Sequence, residues 1–416
     1  MQIKKIIARQ ILDSRGNPTI EVDITFKDGG FGRASVPSGA STGSREAVEL
    51  RDGGLDFHGQ GVQKAITHIY SVVTPICINH DFESLKDFDN HLIKLDGTKN
   101  KSLLGANAIL ALSIAFAKAD ARSTPLYEYF SKLTNRSDDL SLPTPMFNVI
   151  NGGKHAEKSA DIQEFMIVPT GLETFSKKIQ AGSEIFHTLK KMLSSRGFAT
   201  TVGDEGGFAL PPHQTNTDSI ELILQATEEA GYEAGTEVKI SLDVAASELF
   251  DDESYNFKSE SKKFSSNELI DYYSSVIKKY PILSIEDGLD ENDWDGWSHM
   301  QSLIGNKVLL VGDDLLVTNT KYIQKAIDER ACNAVLIKPN QIGTLTETIE
   351  AVQLANSNGL TTIMSHRSGD TEDTTIADLA VGLGCKYIKS GSLSRSERLA
   401  KYNQLLRIEE MMGKKA

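Results

Sequence analysis

The chain has little of what would mark it for a membrane, the cell exterior or a nucleic acid. Its most apolar run, "ANAILALSIAFA" at 106–117, falls well short of the ~20 residues that span a bilayer and reads as a buried helix. Arg9 interrupts the apolar N-terminus "MQIKKIIARQILDSRG", which spoils a signal-peptide core. Cysteine is scarce: Cys77, Cys332 and Cys385 lie far apart with no C-x-x-C pair, the pattern of buried, inert thiols in a reducing compartment. A cytoplasmic protein is expected. Basic residues are outnumbered, 44 Lys and Arg against 57 Asp and Glu, for a net charge of -13. That argues against direct nucleic-acid binding, which would show as a basic stripe. An anionic small substrate remains compatible, provided that lysines, arginines or metal ions supply cations locally. Internal repeats and low-complexity tracts are also lacking, and no G-x-G-x-x-G follows the first strands.

What is present is a globular composition, 39% hydrophobic and 24% charged over 416 residues, too long for one simple core. Ile20, Val22, Ile24 and Phe26 alternate in "PTIEVDITFKDG", a half-buried strand ending at a Lys-Asp-Gly turn. With "KKIIARQILDS" before and "GFGRASV" after, the pattern predicts a three-stranded antiparallel meander, followed by helices. The polar stretch "LTNRSDDLSLPTP" reads as a connection. The expected division is an α+β N-terminal domain at 1–132, a connection at 133–145 and a second domain at 146–416.

The second domain has a rhythm. "EVKISLDVAAS" ends on Asp243, "PILSIEDGL" on Glu286, "KVLLVGDDLL" on Asp313, "NAVLIKPNQIG" on Lys338, "LTTIMSHRSG" on His366 and "KYIKSGS" on Lys389. From Glu286 onward these ends recur every ~23–28 residues with amphipathic helices between them, as buried parallel strands require. A closed β/α barrel is favoured over an open sheet. A barrel gathers every strand end at one mouth, whereas an open sheet concentrates function at one switch point.

At such a mouth, Asp243, Glu286 and Asp313 would repel one another by ~4 kcal/mol per pair at 4 Å. They must bind protons or share a hard cation, and carboxylate oxygens favour Mg²⁺. Each acid alone could instead cap the next helix; three successive strand ends make that the weaker reading. Lys338 and Lys389 stand opposite, where neighbouring positive charge would lower a lysine's pKa and free it as a base. His366, Arg367 and Ser368 are donors suited to phosphate. "VPSGASTGSRE" (36–46) reads either as a turn before a helix or as a lid. "TTVGDEGGFALPP" (200–212) places Asp204 and Glu205 among glycines, which in isolation is a turn before it is a site.

Taken together, "DSRGNPT", "PSGASTG", "LGANA", "NGGKHA", "DIQEFMIVP", "VGDEGG", "SIEDGLDE", "VGDDL", "NQIG", "SHRSG" and "YNQLLRIEE" resemble the enolase family in its bacterial form, in order and over essentially the whole chain. The resemblance implies a barrel with an antiparallel start and the reversible dehydration of 2-phospho-D-glycerate to phosphoenolpyruvate. It assigns Asp243, Glu286 and Asp313 to a tight Mg²⁺ site and Ser41 to a second Mg²⁺ that arrives with substrate. Lys338 matches the base that takes the C2 proton. Glu205 matches the acid that helps hydroxide leave C3, with Glu164 as its partner, and its pKa should be raised by burial or by Asp204 and Glu164. Asp204 would be a local hydrogen-bond organiser, and the glycines would let backbone and substrate approach closely. His155, Gln163 and His366 match active-site contacts, Arg367 and Ser368 phosphate binders, and Lys389 a contact to the substrate carboxylate. A homodimer or higher homo-oligomer is implied, with a surface or secreted fraction beside the cytoplasmic one.

Pro339 departs from the family's commoner apolar residue after the base lysine, and Asp370 stands where Glu is usual. "IKSG" replaces "IKTG", and the C-terminal tail is short. Two rivals remain at this stage. One is an enolase-like paralogue such as a carboxyphosphonoenolpyruvate synthase, disfavoured by the intact "SGAST" and "SHRSG". The other is a scaffold or surface-binding protein, which would be free to lose Glu205, Lys338 or a metal acid, and none is missing.

Overall fold

The computed structural model describes residues 1–39, 43–136, 139–155, 159–211 and 214–413. Three antiparallel strands, Ile3–Leu12, Pro18–Phe26 and Phe31–Ser35, open the chain as a meander. Ile20, Val22, Ile24 and Phe26 are buried on one face, and Gly29 (φ 97°) makes the turn that follows. That face packs on the helix Ala106–Ala121, which is buried nearly all round, as its unbroken apolar sequence requires. Gly32 is obligatory there: a Cβ would sit 2.0 Å from the Ala115 carbonyl.

The second part is a closed barrel of eight strands: Thr144–Asn151, Glu164–Val168, Lys239–Asp243, Ile282–Glu286, Leu309–Gly312, Ala334–Ile337, Thr361–Ser365 and Tyr387–Lys389. Pairing of the last strand with the first closes it. The α+β meander and the β/α barrel are as the strand pattern implied, and the antiparallel start, which that pattern did not reveal, is as the family resemblance implied. Glu164–Val168 runs against both its neighbours, while all other barrel pairs are parallel.

Strand alternation builds the mouth. The barrel interior is packed by Met146, Met166, Val168, Val311, Ala334, Leu336, Ile363 and Tyr387. Side chains two positions on share that inward face. Val311 therefore leads to Asp313, Leu336 to Lys338, Tyr387 to Lys389 and Met146 to Asn148. Met166 leads backwards to Glu164, whose strand is reversed and so presents its first residue at the end where the others present their last. The register agrees, with Glu164 opposite Asp243 and Glu286 opposite the same residue on the other side.

The meander domain sits over this end. Ser38 and Gly369 exchange both backbone hydrogen bonds, at 2.7 and 2.9 Å, and Ser14 N–H donates to the Asp370 carbonyl. A Cβ on Gly369 would collide with Asp13, Arg15 and Ser38 at 2.5–2.6 Å, so glycine lets the two parts close. Among the described residues no helix is long and apolar enough to cross a membrane.

Candidate active site

Lys389, 2% exposed, is the hub of the mouth. Its Nζ donates to Asp243 Oδ2 at 2.7 Å and Glu286 Oε1 at 2.9 Å, with Glu164 Oε1 at 3.4 Å. Burial lowers a lysine's pKa, yet Asp243, Glu164 and Glu286 outweigh it and hold Lys389 well above the ordinary value. Glu164 and Glu286 are pushed well above the carboxylate range, first by burial and then by the charges of Glu205 and Asp243 respectively. Oε2 of each is buried and has no hydrogen-bond partner among the described residues. Buried acceptors with nothing to accept from are the mark of a site that completes itself with a ligand.

Asp313 is the third acid. Its Oδ2 accepts from Lys338 Nζ and its Oδ1 from Gln341 Nε2 at 2.8 Å. Burial would raise its pKa, but Lys338 turns the shift downward. The same contact corrects the expectation for the base. Lys338 is raised rather than lowered, because Asp313 outweighs both burial and the repulsion of Arg367 and Lys389. Pro339 does what its ring dictates. Lys338 is extended (φ -125°, ψ 103°), and Pro339 opens the short helix Pro339–Ile342, which aims Asn340 and Gln341 into the site.

Asp313 forms its closest carboxylate group with Asp287 and Asp314, one oxygen of each lying within 4.8 Å of the others. Asp287 is committed elsewhere: its two oxygens accept the backbone N–H groups of Asp313 and Asp314, each at 2.9 Å. It braces the turn that presents Asp313. Asp314 is pushed up to about 7 by burial and by Asp313. Among the described residues the strand-end acids Asp243, Glu286 and Asp313 are not drawn into so tight a group. They come from three adjacent strands, offer buried oxygens including the unpartnered Glu286 Oε2, and are neutralised here by Lys389 and Lys338. At these turns Ala245 (φ 48°), Asp287 (φ 43°), Val317 (φ 43°) and Thr318 (φ 55°) are left-handed, a conformation that costs a residue with a Cβ and is held here by the packing around it. Thr318 uses its position, accepting from Lys338 N–H and donating to Gln341 Oε1, both at 2.8 Å.

Glu205 is buried across the mouth. Asn148 Nδ2 donates to its Oε2 at 3.2 Å, and His366 Nε2 lies 3.5 Å from the same oxygen. Burial, with Arg398 adding to it against the pull of Glu205, pushes His366 down to about 4. Asp204 organises the loop through its carbonyl, which accepts from Arg398 Nη2 at 3.0 Å; its side chain is exposed. The glycines are required by the chain's own packing. Gly206 (φ 88°) would place a Cβ 2.7 Å from Ser394 Oγ, and Gly207 one 2.4 Å from Asn151 Oδ1.

Arg367 is buried and pairs with Glu46 through both terminal nitrogens, at 2.9 and 3.2 Å. Burial lowers its pKa, but Glu46 reverses the sign and holds it high. Glu46 closes the Ser/Gly segment, which also latches onto Glu291 through Ser44 Oγ at 2.5 Å. Gln163 and Ser368 line the same cavity. Ser41 lies outside the described residues, as does the side chain of His155. A cleft of about 800 Å³ lined by Gly153, Ser159, Asp161, Glu248 and Asn256 reaches the mouth at Gln163 and Ala245.

Family profiles match the chain in two pieces. The one described as "Enolase, N-terminal domain" covers residues 3–130, and the one described as "Enolase, C-terminal TIM barrel domain" covers residues 139–416. With both parts matched in order over nearly all its length, the chain belongs to the enolase family.

Proposed function

We propose that the protein is a glycolytic enolase, a hydro-lyase that interconverts 2-phosphoglycerate and phosphoenolpyruvate with Mg²⁺. The observation that carries the reading is the pairing of two lysines, Lys338 and Lys389, with the acids Asp243, Glu286 and Asp313 at one buried mouth, while Glu205 and Glu164 face them. Such a site can remove a very weak carbon acid's proton because it can hold the charge that results.

Lys338 takes the C2 proton, and the electron pair moves onto the carboxylate as an enediolate. Lys389 donates to that carboxylate. Mg²⁺ held by Asp243, Glu286 and Asp313 would relieve Lys338 of its hold on Asp313 and stabilise the second negative charge, a further ion falling to Ser41 when substrate is present. The C2–C3 double bond then forms as the C3–O bond breaks, and Glu205 gives the leaving hydroxide a proton, releasing water. Glu164, whose carboxyl is pushed up by burial and by the charge of Glu205, and neutral His366 keep that acid in a pocket where a carboxyl can carry a proton. Arg367 and Ser368 bind the phosphate, with Arg367 exchanging Glu46 for it. His155 and Gln163 stand as contacts at the rim.

The direct test is conversion of 2-phosphoglycerate to phosphoenolpyruvate, followed by ultraviolet absorbance, with a chelator and with Lys338→Ala as controls. Turnover lost in both controls supports the reading. No turnover by folded, Mg²⁺-supplied protein would overturn it in favour of an enolase-like paralogue or a non-catalytic scaffold.

A further inference from the structure

Arg398 is wholly buried on the first turn of the helix Ser396–Met411, a place where the sequence offers nothing but another charged helix residue. It spends its donors on the site. Nη1 reaches His366 Nδ1 at 2.7 Å and the Arg367 carbonyl at 2.6 Å; Nη2 reaches the carbonyls of Ser368 at 2.6 Å and Asp204 at 3.0 Å. Asp370 at 3.7 Å and Glu397 at 3.4 Å balance its charge. Space for it is kept by Gly391, where a Cβ would stand 2.8 Å from Arg398 Cδ.

A guanidinium has no acceptor, so His366 Nδ1 must present its lone pair. A neutral ring then carries its proton on Nε2, the nitrogen that faces Glu205 Oε2. The charged groups facing the ring are Glu205, Arg398 and Asp370. Arg398 thus acts on two things at once. It sets which nitrogen of His366 is a donor, and it ties the loop of Glu205 to the loop of Arg367 and Ser368.

We propose that Arg398 is a positioning residue that fixes the Nε2–H tautomer of His366 against Glu205 and locks the acid loop to the phosphate loop. The inference rests on the enolase reading for its rate consequence, and on geometry alone for the tautomer. Asp370 belongs to the same device: it also accepts from Lys401 at 2.9 Å, so the shorter side chain is seated on two cations beside His366.

The test uses full-length protein labelled with ¹⁵N at histidine, with His366→Gln to assign the ring. Wild type should show a bare Nδ1 and a protonated Nε2 across neutral pH. Arg398→Met should move the proton onto Nδ1 or let the ring titrate upward, and should lower kcat on the order of 100-fold, more than it changes KM. Arg398→Lys should keep the Nε2–H form and recover part of the rate. A proton on Nδ1 in wild type would overturn the proposal. So would a folded Arg398→Met protein with the same ring state and the same pH profile as wild type. If Arg398→Met fails to fold, the wild-type spectrum and Arg398→Lys decide it. Absence of 2-phosphoglycerate turnover would count against the enolase reading and leave the ring state to be judged separately.

Discussion

Removing the cation at the hub should cost stability in a way that depends on pH with a definite sign. Lys389→Met takes the ammonium from three carboxylates at 2.7, 2.9 and 3.4 Å. At an effective dielectric of ~20 each contact is worth ~5–6 kcal/mol gross. Most of that is offset by desolvation, and the stranded acids would bind protons rather than remain charged. Breaking a buried ion pair from one side costs about 3–5 kcal/mol. With unfolding entropy of ~2.1 cal/mol/K per residue over 416 residues, the loss is a Tm lower by about 3–6 °C. Glu164 and Glu286 already have raised folded-state pKa values. A raised acid stabilises below its unfolded pKa and loses that contribution as pH climbs to the folded value. Without Lys389 both rise further, so the gap between variant and wild type should widen as pH climbs above the ordinary carboxylate range. Thermal unfolding in chelator, so that no divalent cation takes the lysine's place, reads it directly. A variant melting within about 1 °C of wild type at the higher pH, or a gap that narrows as pH rises, would refute the argument.

The other expectations concern the residues around that hub. Asp314→Asn should stabilise the chelator-treated protein by on the order of 4 kcal/mol at pH 8, and little at pH 4, because Asp314 is pushed up to about 7 when folded and is charged at a cost above that; Tm at the two pH values checks it. Asp287→Ala removes the acceptors of two backbone N–H groups and should cost about 3 kcal/mol and most of the activity, readable by melting and turnover together. Gly207→Ala forces a Cβ against Asn151 and Asn148, the side chain that holds Glu205, so turnover should fall about 10-fold or more with the fold intact by circular dichroism. Glu46→Gln weakens the clamp on Arg367, and the KM for 2-phosphoglycerate should change more than kcat.

Much of the site was legible because one residue after each apolar run broke the pattern. Asp313, Lys338 and Lys389 stand two positions beyond the inward residues Val311, Leu336 and Tyr387, so the next inward position had to face the mouth, while Asp243, Glu286 and His366 were legible only as the polar residue that ends each apolar run. Glu164 was not legible by that rule. Its strand is reversed, the acid precedes its apolar run, and only the family likeness pointed to it. Asp287 and Asp314 hid in the doublets Glu-Asp and Asp-Asp, where Asp287 braces the turn of the other doublet and Asp314 crowds Asp313. Asn148, Gln341 and Arg398 carry no local signal, since an amide in a strand and an arginine in "SRSERLAK" read as ordinary polarity until packing buries them. The alternation through Met146 and Asn148 was the one available clue to the first.

The claim that joins these residues is a division of labour, with Lys338 removing the C2 proton and Glu205 assisting the departure of hydroxide. The most direct measurement is exchange of the C2 hydrogen of 2-phosphoglycerate in deuterated buffer, followed by proton NMR beside phosphoenolpyruvate formation. It would compare wild type, Glu205→Gln and Lys338→Ala. The account predicts that Glu205→Gln still exchanges C2 while dehydration falls by about 10²–10⁴, and that Lys338→Ala does neither. Exchange at the wild-type rate in Lys338→Ala would contradict it.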